Sequence, residues 1–465
     1  MDDSPADKPY LDLVETYRRS FRTDDVAPLD VALAAILTAG WSGEPLWCFI
    51  VAPPSSGKTA TLQIFQKDKD GTIFRNTLTP HALVSGLKRK QEDLLPRLDG
   101  KCLVIKDFTS ILTMHREGRD EILGDLRAIF DGDFSKSFGS DVGDKEYVAR
   151  FNLVAAVTPV IELHYSVDSV LGQRFFMVRM VLPREYDSDA EREPEVIKAQ
   201  LQEKVLELLR ARRSLPFNPE LSEDQVRECK ILASEVATLR TEVPRDSKGD
   251  LKMMPSKEGP SRLANQFEKI ACGVSFARAH GEVLDEDMEI VRRVARDTIP
   301  SVRREVLAAL TAGPMTVRDV CAITKLGDWE ARRKLEDLHV LDVLSVQEEN
   351  QTRFYELKAE FLLFQNESES PLVTPEPTTE TLAPSVVSTA PAFFPADSSL
   401  IEYSKLAGAK NLIAISDHIR NKLRWDGGRP DSWIARDAIL ALQLPESAAP
   451  DLEKFVASMR KGMDP

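Results

Sequence analysis

The segment Leu46 to Gln66, LWCFIVAPPSSGKTATLQIFQ, constrains this chain more than any other. Six apolar residues in a row, LWCFIV, make a strand that must be buried on both faces, as in the middle of a parallel sheet. APPSSGKT then breaks the strand, and TATLQIFQ resumes a helical pattern near Lys58. A strand that turns tightly into a helix aims unpaired backbone N–H groups at one point, which is what wrapping a polyphosphate requires. The signature GxxxxGK[ST] is met in all but its first glycine, which is Ala52 here. Pro54, Ser55, Ser56, Gly57, Lys58, Thr59 and Ala60 are therefore the candidate nucleotide-binding residues. Lys58 is spaced to reach the β- and γ-phosphates and the Thr59 hydroxyl to ligate magnesium, so ATP and Mg2+ are the expected cofactors.

Such a site needs a carboxylate at a neighbouring strand tip to hold the magnesium shell, and usually a second to polarise the attacking water. KCLVIKDFTSIL supplies the strand but one acid only, Asp107, with Lys106 before it and Phe108 after it. In one register Asp107 is the catalytic acid and Lys106 stands where the metal acid belongs. In the other Asp107 is the metal acid and the base is missing, to be supplied from elsewhere, by Glu117 or Asp120 for instance. Both registers stay open, and slow hydrolysis follows from the second.

Further apolar runs at Thr72 to Thr77, Cys102 to Ile105, Asn152 to Thr158 and Phe175 to Val181 alternate with helical stretches, the pattern of an α/β fold with a parallel sheet. Two helices, Leu11 to Phe21 and Pro28 to Ala39, precede it. After Pro183 charged helical segments take over, among them Glu195 to Arg213, Glu223 to Thr241 and Arg262 to His280. Ser301 to Phe364 reads as three helices followed by a β-hairpin. No lysine or arginine occurs from Ala359 to Ser404, where six prolines lie between Pro371 and Pro395, a composition expected to stay disordered. The resulting division is 1–44, N-terminal helices; 45–183, P-loop core; 184–300, helical lid; 301–364, winged helix; 365–399, linker; 400–465, a small helical C-terminal module.

The formal charge of −14 excludes a surface that is basic throughout, so any nucleic-acid contact has to be local. The five cysteines stand far apart with no CxxC pair, as buried thiols of a reducing compartment do. No secretory signal and no apolar run near the ~20 residues of a membrane span is found. A cytoplasmic protein with no membrane partner is the expectation.

With these motifs in hand, RFNLVAAVTPVIE resembles the sensor-1 strand of AAA+ ATPases of the minichromosome-maintenance and magnesium-chelatase type. The resemblance implies that Thr158 stands near the γ-phosphate. FSKSFGSDVGDKEYVARF resembles the hairpin that projects into the central channel of those helicases, which makes Lys136 and Lys145 candidate DNA contacts. SVLGQRFFMVRM resembles the segment in which an arginine precedes phenylalanine, implying that Arg174 is a finger inserted into a neighbouring subunit's site. EGPSRLANQFEKIACGVSFARAHGEVLDEDMEIVRR resembles the lid helices, with Arg262 at the sensor-2 position, and a winged helix follows as it does there. The likeness covers about residues 45 to 364 and implies an AAA+-like P-loop fold and a ring-like homo-oligomer. It departs from the family at Lys106 and Asp107 and in having no N-terminal collar domain.

In the third helix of the winged-helix segment, Trp329, Arg332, Arg333 and Lys334 occupy the recognition position of a helix-turn-helix. That segment carries nine Lys/Arg against eleven Asp/Glu, so both DNA and replication or regulatory proteins stand as its partners. The expected function is an ATP-hydrolysing, helicase-like motor or remodeller acting on DNA. The alternatives are an ATP-controlled assembly switch with weak hydrolysis, such as a helicase loader or transcriptional regulator, and a scaffold with a dead site.

Overall fold

The computed structural model describes residues 7–85, 93–138, 143–163, 174–181, 194–215, 219–246, 249–364, 453 and 456. The chain divides into two compact units, Met1–Val373 and Thr374–Pro465. The linker and C-terminal module read from the sequence thus lie outside the described residues, apart from positions 453 and 456.

In the first unit β1 (Trp47–Val51), β2 (Thr72–Arg75), β3 (Cys102–Ile105), β6 (Asn152–Val157) and β7 (Phe175–Arg179) form one five-stranded sheet in the order β2-β3-β6-β1-β7, every pair parallel. Strands β4 (Asp133–Phe138) and β5 (Gly143–Val148) make a separate antiparallel hairpin. The continuous apolar runs are explained by what covers the sheet. Cys48 and Ile50 face the helices Lys8–Phe21, Ala27–Leu37, Pro194–Arg213, Glu223–Arg240, Ser261–Arg278 and Asp285–Thr298, while Trp47, Phe49 and Val51 face the helix Arg116–Phe130 and the hairpin. With helices on both sides the central strands β3, β6 and β1 are buried at every position, which calls for unbroken apolar runs, whereas the edge strand β2 is only partly buried and ends in Arg75.

The described residues of the segments 1–44, 45–183 and 184–300, read from the sequence as N-terminal helices, core and lid, fall within this first unit. Helix Ser261–Arg278 lies against Ala27–Leu37 so closely that a Cβ at Gly273 would stand 2.9 Å from the Ala34 Cβ and 3.1 Å from its Cα. Below this contact, buried Arg278 pairs with Asp30 (2.7 Å) and Asp287 (3.0 Å) and tightens the same seam.

Among the described residues the outer rim of β7 has no neighbouring strand, and side chains serve part of its backbone instead. Arg240 donates to the Phe175 carbonyl, Thr298 Oγ1 and Asp297 accept from the amides of Met177 and Arg179, Arg293 donates to the Arg179 carbonyl, and Asp25 accepts from the Val181 amide.

Residues 301–364 follow the order read from the sequence: helices Ser301–Leu310, Val317–Thr324 and Asp328–Val340, then a hairpin of β8 (Leu344–Glu349) and β9 (Thr352–Leu357). Met315 adds a bridge to Tyr355 and ties the turn between the first two helices to the hairpin.

Candidate functional site

β1 ends at Val51, and the Ala52 amide still donates to the Val157 carbonyl, so the strand runs on by one residue. Ala52 is outside the left-handed region, which removes the need for glycine there; the left-handed positions of the loop are Ser55 (φ 62°) and Gly57 (φ 85°). Gly57 then leads into the short helix Lys58–Gln63. Its missing side chain faces Phe21, whose ring a Cβ would meet at 3.5 Å. Tyr17, one turn earlier in the N-terminal helix, shares a hydrogen bond with the Thr61 hydroxyl (3.1 Å). The loop Ala52–Gly57 is thus backed by a helix that sequence reading left out of the site, because nothing local in the Tyr17–Phe21 stretch marks it as a partner of a loop some 40 residues on.

Lys58 bends back over the loop and donates to the Pro53 carbonyl (2.9 Å). Burial pushes its ammonium below the usual lysine range, and the Asp107 carboxylate opposes that shift. The Ser56 hydroxyl is buried in the same loop with no hydrogen-bond partner. A buried donor without an acceptor is costly, and a polyphosphate oxygen is a group that would satisfy it. Thr59 and Ala60 are exposed at the loop's mouth.

The strand order brings two further sequence candidates to this end of the sheet. Thr158 follows β6, between β1 and β3. Its amide donates to the Thr109 hydroxyl (3.0 Å) and its own hydroxyl shares a hydrogen bond with the same group (3.2 Å). Thr109 was not foreseen, since its link to Thr158 spans 49 residues. Asp107 follows β3 and is exposed. The amides of Lys106 and Asp107 both donate to β2's continuation, at Arg75 and Asn76, and Phe108 turns back to Ala156. Two consecutive donors on one side break the alternation of a parallel ladder. Of the other acids considered, Asp120 is paired with Arg116 and Arg119 on the helix surface, and Glu117 is exposed in that helix's first turn. Among the described residues, no group of three or more histidines, cysteines, aspartates or glutamates gathers as a metal site.

Arg174 and Arg262 lie elsewhere. Arg174 precedes β7, and the register Trp47↔Phe175 sets it level with Leu46. Six residues of strand separate that level from Ala52, about 20 Å along the sheet. Arg262 joins it at this opposite edge: both arginines pair with Asp131 (2.7 and 3.2 Å), both lie over the Phe130 ring, and Arg262 also approaches Glu44. Arg262 is therefore not a neighbour of this chain's own Ala52–Thr59 loop, contrary to a sensor-2 role within one subunit. Its helix begins at the edge from which β1 starts.

The hairpin lysines are not exposed DNA contacts. Lys145 is 1% exposed and donates to Asp93 and to the Ser85 carbonyl (2.7 Å each), while Lys136 donates to Glu121 and Asp125 (2.8 Å each). Lysines spent on two acceptors apiece inside the fold have no free charge for a phosphate. In the helix Asp328–Val340, Arg332 is exposed and pairs with Asp328, and Arg333 stacks on Trp329, which is 66% exposed. Lys334 is half-buried; burial pushes its ammonium down and nearby Arg303 adds to the effect. It does not belong with the other two as a surface contact.

No protein-family description fits the chain, and no curated protein matches it. Among the described residues no helix is long and apolar enough to cross a membrane.

Proposed function

We propose that this chain is a P-loop ATPase of AAA+ type, binding ATP and Mg2+ at Ala52 to Thr59 and completing its site with arginines from a second copy. The observation that carries the reading is the loop after β1: a left-handed Gly57, an orphaned Ser56 hydroxyl and a Lys58 ammonium donating to a neutral carbonyl, all at one strand end. Pro54 to Gly57 supply backbone N–H groups for the phosphate oxygens, and Lys58 exchanges the Pro53 carbonyl for the β- and γ-phosphates. Thr59 and Asp107 would hold the magnesium ion, which neutralises charge developing on the transferred phosphoryl group. Thr158, steadied by Thr109, offers a hydroxyl beside the γ-phosphate. Arg174 and Arg262, about 20 Å from their own loop, suit the loop of a neighbour in a ring-like homo-oligomer.

Between a DNA motor and an ATP-controlled assembly switch, two observations favour the switch. Asp107 is the carboxylate whose field reaches Lys58, with no second acid beside it among the described residues, and the hairpin's lysines are consumed by internal pairs. DNA contact then falls to the Arg332, Arg333 and Trp329 surface of the winged helix. ATPase rates for wild type, Lys58→Ala and Arg174→Ala, with and without single- and double-stranded DNA, test both readings. The switch predicts slow turnover that DNA stimulates less than threefold, and activity regained when the two variants are mixed. Strong DNA stimulation restores the motor, and failure of the wild type to bind ATP removes the proposal altogether.

A further inference from the structure

Thr158 is followed by a single tight turn, Pro159–Leu163, closed by the Ile161 amide donating to the Thr158 carbonyl (3.1 Å) and pinned by the fully buried Ile161 side chain. The turn ends by presenting Glu162. One carboxylate oxygen of Glu162 accepts from the Arg179 guanidinium, and the other accepts from both the amide (3.1 Å) and the hydroxyl of Ser301. Ser301 is the first residue of the helix that opens the 301–364 segment, so a carboxylate here also meets the positive end of that helix. Arg179 spans the rest of the junction. Its Nε donates to the Asp297 carbonyl (2.9 Å) and its Nη2 to the Ile299 carbonyl (3.3 Å), the residues that join helix Asp285–Thr298 to helix Ser301–Leu310. Asp297 in turn receives Arg293 and Arg304 (2.7 Å each).

We infer that Glu162 is a positioning residue that couples the nucleotide state sensed at Thr158 to the helix–hairpin segment 301–364. The inference rests on the ATP reading above. From Thr158 to Ser301 the path is four residues of packed turn and one carboxylate. There is little slack in it: Ile161 fixes the turn, and both oxygens of Glu162 are engaged on different elements. A displacement of Thr158 toward or away from a γ-phosphate therefore moves the Ser301 end, and the reverse holds by linkage. The surrounding charges make the junction sensitive rather than inert. Glu305 lies near Glu162, and burial pushes its carboxyl up, so loosening Glu162 from Arg179 and Ser301 also alters what Arg304 and Glu305 face. Nucleotide binding and the partner-facing surface at Trp329 and Arg332 would thereby be parts of one equilibrium.

The test uses the full-length protein and its Glu162→Gln and Ser301→Ala variants, each checked for an unchanged thermal transition and circular dichroism. Affinity for a fluorescent ATP analogue and amide hydrogen exchange across 301–364 are measured in the same samples, with and without Mg2+·ATP. The wild type is expected to change exchange in Ser301–Leu310 at least threefold on binding ATP. Glu162→Gln should bind the analogue within about twofold of wild type yet lose most of that change, with Ser301→Ala intermediate. An exchange response of wild-type size in Glu162→Gln, or no response in a wild type that does bind ATP, overturns the inference. A wild type that binds no analogue instead overturns the ATP reading and this coupling with it. If Glu162→Gln fails to fold, Ser301→Ala alone decides: a response equal to wild type overturns the coupling.

Discussion

The loop after β1 and the β4–β5 hairpin each present lysines that look alike in sequence, and the fold uses them in opposite ways. Lys145 is sealed between Asp93 and the Ser85 carbonyl, with Tyr147 donating to the same carboxylate (2.6 Å). Burial works against the Asp93 carboxylate, but bonds from Lys145, Tyr147 and Ser85 hold it below the usual range. Lys58 is buried less deeply, 9% exposed against 1%, and among the described residues its ammonium donates to the Pro53 carbonyl, with Asp107 acting on it at longer range. A lysine whose buried partner is a carboxylate is structural, because breaking the pair strands a charge. One whose partner is a neutral carbonyl keeps its charge available to an anionic ligand. Lys269 sharpens the rule. It too donates only to carbonyls, of Trp41 (3.2 Å) and Glu44 (3.1 Å), yet two such partners leave it a clamp on the chain entering β1.

The largest effect is expected at the hairpin. Lys145→Met leaves Asp93 buried without its cation and should cost about 3–5 kcal/mol in urea unfolding. A loss under 1 kcal/mol would place Lys145 among the dispensable surface lysines. Lys58→Ala should do the converse: stability within about 1 kcal/mol of wild type, and ATP affinity down about 100-fold, or about 2.7 kcal/mol, by titration calorimetry. Were Lys145→Met to weaken ATP binding per folded molecule more than Lys58→Ala does, the contrast would collapse.

Lys269 supplies a pH signature. Burial chiefly, with nearby Arg150 adding, pushes its ammonium down to about 8, whereas the unfolded chain titrates it near about 10.4. Between these values the unfolded state holds more protons, so stability rises with pH across that window and the penalty of the buried charge is fully felt below it. Relative to Lys269→Met, the wild type should gain on the order of 2 kcal/mol from pH 7.5 to pH 10. A flat difference would mean that the ammonium is hydrated in the folded state. The smallest effect belongs to Gly57→Ala. A side chain at φ 85° costs about 1–2 kcal/mol, with only ordinary contact against Phe21. Thermal melts should show that cost together with weaker ATP binding.

What was legible in the sequence was what is contiguous in it. The sheet's strands were readable because burial on both faces demands unbroken apolar runs, and the junction from β1 into the helix at Lys58 because all its parts lie within eight residues. The hairpin lysines were misread although a signal existed. Residues two apart in a strand share a face, so Lys136 lies with Phe134 and Phe138, and Lys145 with Tyr147, on the inward side, while Val148 alternates outward and is exposed. The shared edge of Arg174 and Arg262 had no such signal, since Asp131 and Phe130 collect them from segments 88 residues apart in number. The irregular tip of β3 at Lys106 and Asp107 was equally invisible, because no residue type there forbids regular pairing.

The side chains that line the rim of β7 leave a mark on how copies of this chain can meet. With the carbonyls of Phe175 and Arg179 and the amides of Met177, Arg179 and Val181 already engaged, a second sheet finds few groups to grasp, and joining edge to edge into a continuous ribbon is disfavoured there. Copies that meet along that flank must do so through surface chemistry alone, which lets them separate again without unpicking a backbone ladder.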